Sequence, residues 1–209
     1  MHMLRGLLLL LLPLSVASGQ VISIGPEGGL TFLAGPAEIT RPVSDIGLGF
    51  DRAPAVGLHI ELGWNDVPFR LTSRMLYMPM SGSGTLNNPL YAPNAQGDWK
   101  TSQDMFLATL GTEWFFGTGI LKPYARGELL LTSSGKTRVD VTNNGITTRS
   151  ESGGGTQWGF GIGAGLQTAL HPGVTLDLST SYLVHAPFAS QNDRHVTTLP
   201  ITLSVLFTL

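Results

Sequence analysis

The sequence predicts an all-β fold, an eight-stranded antiparallel up-and-down transmembrane β-barrel. Three observations carry that prediction. Of 209 residues, 42% are hydrophobic and only 12% charged, about half the ~25% charged share of an average soluble domain. The 27 Gly and 13 Pro are too many for a helical bundle and suit a chain with many turns. Apolar residues alternate with period two over runs of about a dozen residues. Such runs exceed the ~5–6 residues of a soluble-sheet strand and approach the ~9–11 of a tilted membrane-crossing one.

The N-terminus stands apart from this pattern. Arg5 supplies a positive charge, residues 6–16 are apolar, and Ala17-Ser18-Gly19 fits the small-x-small cleavage rule. Residues 1–19 therefore read as a cleaved signal peptide and 20–209 as the barrel domain. The apolar run is too short to cross ~30 Å of hydrocarbon as a helix. The longest stretch without charge, 152–176, is not a membrane helix either. Its glycines at 159, 161, 163 and 165 alternate with Trp158, Phe160, Ile162, Ala164 and Leu166, the period of a strand.

The eight expected strands lie near 21–33, 53–64, 67–79, 105–116, 121–133, 156–170, 174–185 and 196–209. The second turns Val56, Leu58, Ile60, Leu62 and Trp64 to one face, and the third Phe69, Leu71, Met75 and Tyr77. The fourth offers Phe106, Ala108, Leu110, Trp114 and Phe116; the sixth offers the Trp158 to Leu166 set. The seventh presents Val174, Leu176, Leu178, Tyr182 and Val184, and the eighth Leu199, Ile201, Leu203, Val205 and Phe207. Connections alternate between short and long. Asn65-Asp66, 117–120 and 171–173 are tight, whereas 34–52, 80–104, 134–155 and 186–195 are long and polar. Short turns at one end and long loops at the other is the arrangement of bacterial outer-membrane barrels, with both termini on the periplasmic side.

Aromatic residues sort by height. Trp64, Phe69, Trp114, Phe116 and Phe207 fall near the short turns; Tyr77, Phe106, Trp158, Phe160 and Tyr182 fall toward the long loops. Two girdles around an aliphatic band are expected of a membrane barrel. The opposite face should be the lumen, carrying Arg70, Arg74, Lys122 and Arg126 against Glu61, Glu113, Glu128 and Asp177, with His59 nearby. A two-residue turn at Asn65-Asp66 would set Glu61 opposite Arg70, and a turn joining Phe116 to Leu121 would set Glu113 opposite Tyr124. The inward glycines 159–165 would make room for the long side chains near Glu61 and Arg70. Because eight strands enclose little more than their own side chains, an ion-pair plug is expected rather than a pore.

The segments Leu121-Lys-Pro-Tyr-Ala-Arg-Gly-Glu128 and Trp158-Gly-Phe-Gly-Ile-Gly-Ala-Gly-Leu166, the latter running on to Asp177-Leu-Ser-Thr-Ser-Tyr182, resemble a known family. It is the small eight-stranded outer membrane protein β-barrel domain family, among the porin-like, OmpA-type transmembrane barrels. The likeness spans 20–209 and implies an outer-membrane address in a Gram-negative-type bacterium. The ending Thr202-Leu-Ser-Val-Leu-Phe207-Thr-Leu209 is similar to the C-terminal signal read by the barrel-assembly machinery. It has Ser204 where that signal prefers Gly and Leu209 where Phe is usual.

Several activities find little support. With 12 basic and 14 acidic residues, net charge −2, no basic face exists for nucleic acid. Zero Cys excludes disulfides, thiolate metal sites and a lipoprotein anchor. His59, His171, His185 and His195 show no paired metal spacing, so no metal and no cofactor is expected. Gly159, Gly161 and Ala164 match a dinucleotide pattern only formally, since no helix follows. The lipid A deacylases of such barrels carry a His-x-Ser pattern, but His185 is followed by Ala186-Pro187. Ser190, Asp193 and His195 are catalytic residue types on a loop with nothing to fix their geometry. The expected role is structural or surface-interacting in the envelope, without enzyme activity. A narrow channel for small or apolar solutes is the alternative, and a lipid-modifying barrel enzyme the third. Expected partners are outer-membrane lipids, the assembly machinery and a surface ligand at the long loops, where Leu86, Leu90, Tyr91 and Trp99 stand among turn formers. Loop 134–155 reads as mobile.

Overall fold

The computed structural model describes residues 20–35, 37–43, 47–64, 67–86, 97–186 and 196–209. Its strands are β1 (Gln20–Ala34), β2 (Arg52–Trp64), β3 (Phe69–Leu86), β4 (Gly97–Phe115) and β5 (Leu121–Ser134). They continue with β6 (Thr137–Asn143), β7 (Ile146–Ser152), β8 (Gly155–His171), β9 (Val174–Ala186) and β10 (Val196–Thr208). One helical turn, α1 (Ala37–Thr40), interrupts the first long connection. The segment 1–19, the Asn65-Asp66 turn, Leu90, Tyr91, and the Ser190, Asp193, His195 group lie outside the described residues.

Eight strands close a ring. β3, β2, β1, β10, β9, β8, β5 and β4 pair in that order, and β3–β4 pairing completes the circuit. All pairings are antiparallel, and β1 meets β10 from Ser23↔Thr208 to Ala34↔Thr197. The barrel therefore places no open sheet edge along the ring, the condition for crossing a bilayer with strands. The apolar face of each strand points outward. Leu110, Trp114, Leu129, Phe160, Ile162 and Leu178 are all more than half exposed.

At the long-loop end the structure departs from the expected pattern in two places. Residues 80–86 and 97–104 are not loop: β3 and β4 run on together to Leu86↔Gly97. The 134–155 connection is not a mobile loop but the hairpin β6–β7, which adds to β4 through Asp98↔Thr142 to Ser102↔Arg138. Its turn is Asn144-Gly145, with φ of 50° and 78°, the type I′ geometry that Asn-Gly favours in two-residue hairpins. Arg149 donates to Asp140 at 2.7 and 3.1 Å across this hairpin, and that bond holds the Asp140 carboxyl below its usual range. Beyond the ring, β3, β4, β6 and β7 thus form a four-stranded sheet.

A Cβ at Gly145 would meet no atom within 4 Å, so Gly145→Ala is opposed by conformation alone. It should weaken the hairpin by about 1 kcal/mol. Limited proteolysis should show faster cutting within 137–152 while the barrel keeps its heat-sensitive gel mobility.

Candidate functional site: the barrel lumen

Inward positions build two layers. Toward the short turns lies a layer of charge. Arg70 on β3 donates to Glu61 on β2 at 2.5 Å, and Gln167 on β8 bridges the pair, accepting from Arg70 at 3.1 Å and donating to Glu61. Arg126 on β5 grips Glu113 on β4 through Nε and Nη2, at 3.0 and 2.5 Å. Its Nη2 also donates to Tyr124 Oη, which donates to Asp177 on β9 at 2.8 Å. Arg74 reaches across to Glu27 on β1 at 2.5 Å and donates to Thr202 on β10 at 3.0 Å. Glu128 lies 3.6 Å from Arg74 Nη1. His59 sits between the clusters, with Thr72 at 2.8 Å and Ser204 at 3.3 Å on its two nitrogens. Apart from Arg70, every charged group in these ion pairs has a side chain no more than 1% exposed.

Above this layer, toward the long loops, the lumen turns apolar. Leu76, Met78 and Met80 of β3, Leu107 of β4, Leu130 of β5 and Leu183 of β9 pack together, with Phe50 of the first long connection buried among them. His185 lies above Leu183, bonded to Thr132 at 2.7 Å and Thr198 at 2.8 Å.

The register differs from the one expected by two residues in both hairpins. Glu61 faces Thr72 and Gly63 faces Arg70, so Arg70 meets Glu61 diagonally rather than directly. Glu113 faces Arg126, not Tyr124. Each turn is longer than anticipated, and an even shift keeps every side chain on its own face. Lys122 is half-buried at the rim and makes no ion pair among the described residues. The glycine row serves neighbours rather than the strand opposite. A Cβ at Gly165 would strike the Tyr124 ring at 2.3 Å, and one at Gly161 would strike Leu183. Glu27 and Gln167 belong to the network but were not anticipated, although each shares the inward parity of its strand; Tyr124, expected opposite Glu113, bonds Arg126 and Asp177 instead. The inward Leu and Met positions carried the same signal.

His59, Glu61, Glu113 and Asp177 could offer donor atoms within 4.8 Å of one another. Arg70 and Arg126, however, already hold two of these carboxylates, and two guanidinium groups inside the cluster repel a metal cation. The arrangement is a network of buried, paired charges. Both expected girdles lie outside the lumen. Tyr77, Phe106, Trp158, Phe160 and Tyr182 are exposed on the outer surface toward the long loops, as are Trp114, Phe116 and Phe207 at the other end. Trp64, Phe69 and Trp114 form a run of rings 6.0 and 6.3 Å apart. Thr202 points inward while Phe207 and Leu209 point out.

A family model described as the outer membrane protein beta-barrel domain matches residues 7–207. The chain belongs to that family. The protein is accordingly an outer-membrane β-barrel. Among curated proteins no sequence matches it. Solved structures share the barrel fold at low identity. The outer membrane protein OprG from Pseudomonas aeruginosa is 12% identical, with a TM-score of 0.50 over 92% of this chain and 96% of that one. A major outer membrane protein from Thermus thermophilus is 11% identical, at TM-score 0.50 over 91% and 99%. Neisserial surface protein A is 17% identical, at TM-score 0.45 over 91% and 97%.

Substitutions in the charged layer test its pairing. Glu113→Ala leaves Arg126 buried without its main partner and should cost about 3–5 kcal/mol, whereas Lys122→Ala should stay within ~0.5 kcal/mol. Urea unfolding in detergent, followed by tryptophan fluorescence, measures both. Gly165→Ala forces the Tyr124 ring to move and should cost about 1–3 kcal/mol. Gly127→Ala, where a Cβ meets nothing within 4 Å, is the control expected to leave the midpoint unchanged.

Proposed function

We propose that this barrel is a non-enzymatic envelope protein acting at the cell surface, with a lumen closed to ions. The observation that supports it best is an interior filled by a layer of paired charges and a packed apolar layer, below a sheet that continues past the barrel wall. A small ion would have to displace carboxylates and guanidinium groups bonded at 2.5 Å and then pass the packed layer from Leu76 to Phe50. Short turns face the periplasm and long connections the exterior in such barrels, so the β3–β4–β6–β7 sheet stands outside the cell. Its exposed pairs Arg149–Asp140, Arg138–Glu151 and Lys136–Glu151 contribute little stability individually. They do give the sheet a charged face suited to a polar surface partner. Residues 1–19 act as the export signal, and the C-terminal strand ending at Phe207 and Leu209 as the segment read by the assembly machinery.

Folded protein, verified by its gel shift on boiling, should be silent in a planar bilayer. Reproducible conductance steps would overturn the closed lumen. Replacing 137–152 with a short Gly-Ser linker should leave the barrel folded and abolish binding of expressing cells to an array of glycans and matrix proteins. Binding that survives the replacement would place the activity elsewhere.

A further inference from the structure

The sheet beyond the ring ends on a strand with one free side. β7 pairs with β6 along its whole length, from Asn143↔Ile146 to Thr137↔Ser152. Among the described residues it has no strand on its other side, and all seven of its residues are exposed. Free edges are commonly blunted by proline, by a bulge or by lysine. β7 carries no proline and no lysine, and its ladder with β6 has no irregularity. Its outer row of N–H and C=O groups is open to a further strand.

The hairpin turn fixes which groups form that row. Around the two-residue turn Asn144-Gly145, the flanking residues Asn143 and Ile146 exchange both backbone hydrogen bonds, and the exchange recurs at every second pair. Ile146, Thr148, Ser150 and Ser152 therefore turn their backbone groups toward β6, while Thr147, Arg149 and Glu151 turn theirs to the free edge. The side chains of Arg149 and Glu151 share a face with Asp140 and Arg138 of β6, their bonded partners. A positive residue followed two positions later by a negative one complements its own antiparallel copy. Centred on Ser150, such a pairing sets Arg149 opposite the partner's Glu151, and Glu151 opposite the partner's Arg149. Lys100 lies opposite Asp140 on β4, so one row across the joint reads Lys100, Asp140, Arg149, the partner's Glu151 and the partner's Arg138, alternating in sign throughout. The backbone pattern allows slips of two residues only. One such slip sets Arg149 against the partner's Arg149, and the other sets Glu151 against the partner's Glu151.

We propose that β7 is a homophilic docking strand, through which two copies of this chain join as an antiparallel β7–β7 pair centred on Ser150. The joint is isologous, with its two-fold axis perpendicular to the sheet. The sheet continues the barrel wall through the unbroken β3–β4 ladder, so its plane contains the barrel direction and the two-fold inverts it. The second copy accordingly stands in a facing membrane, and the contact links two outer membranes. This contact rests on the surface role proposed above and goes beyond it by giving the sheet edge a partner.

The chain has no Cys, so single introduced cysteines report the pairing. Ser150→Cys, Thr148→Cys and Ser152→Cys are each folded into separate phosphatidylcholine vesicles, with folding verified by the gel shift on boiling, and are treated with copper phenanthroline as oxidant. Ser150 meets its own copy in a non-hydrogen-bonded pair with Cα atoms about 4.5 Å apart, inside the ~4.4–6.8 Å that a disulfide spans. Ser150→Cys is expected to give a disulfide-linked dimer. Thr148 and Ser152 each lie about 13 Å along the strand from their own copies, but opposite one another. Either variant alone should give at least about ten-fold less dimer, whereas mixing vesicles of one with vesicles of the other should restore it. Equal yields from all three variants alone, or no dimer from the mixed vesicles, would overturn the pairing. A membrane-impermeant maleimide applied to intact cells expressing Ser150→Cys tests the surface role separately. Labelled cells with no mixed-vesicle dimer would leave the surface role standing and remove the self-pairing, while unlabelled cells would overturn the surface placement itself.

Discussion

The constraint on which this structure rests is that backbone amides cannot be left unpaired in hydrocarbon, where each one costs several kcal/mol. Strands can meet it only by closing on themselves. The pairing of β1 with β10 over Ser23 to Ala34 is the closure, because it joins the two ends of the chain's meander. Once the ring is shut, the outer face must be apolar and the inner face takes whatever polar residues alternation assigns to it. Beside Pro54 and Pro79 the β2–β3 ladder ends well short of its strands, and the first long connection folds back against that break through Leu48 and Gly49 at Gly82.

Inside, the governing problem is charge. Five carboxylates (Glu27, Glu61, Glu113, Glu128 and Asp177) share the lumen with three guanidinium groups (Arg70, Arg74 and Arg126). A buried charge is tolerated only when paired and hydrogen-bonded. Each arginine accordingly spans strands that are adjacent or across the ring, and hydroxyls of Thr72, Tyr124, Thr202 and Ser204 add further bonds, while Glu113 Oε2, Arg126 Nη1 and both Glu128 carboxylate oxygens have no hydrogen-bond partner. Such a network draws on all eight ring strands from within, adding cross-links to a ring already closed by its backbone. The methionine and leucine layer above is held mainly by packing, with one hydrogen bond from Thr31 to the Met78 sulfur.

Much of this is legible in the order of residues. Period-two alternation locates all eight ring strands, because a lipid outside and a polar lumen inside impose opposite chemistry on successive residues. The same alternation puts Arg70, Arg74, Glu113 and Arg126 on one face. It does not supply the pairing register, which depends on how many residues each turn uses, and both hairpins lie two residues away from expectation. Asn144-Gly145 is a legible hairpin signal, but it sits in a polar segment without apolar alternation, so β6 and β7 read as loop. The inward Leu76, Met78, Leu107 and Leu130 are equally visible in parity, yet a barrel lumen is expected to be polar throughout.

By itself, then, the sequence determined the barrel, the number of strands in its ring and which residues face lipid, since these follow from local chemistry at each position. The tertiary structure decided who partners whom. Arg74 finds Glu27 forty-seven positions away, and Gln167 bridges Glu61 and Arg70 from a distant part of the chain. Those meetings are set by ring closure and turn length, properties of the whole circuit that no single strand carries.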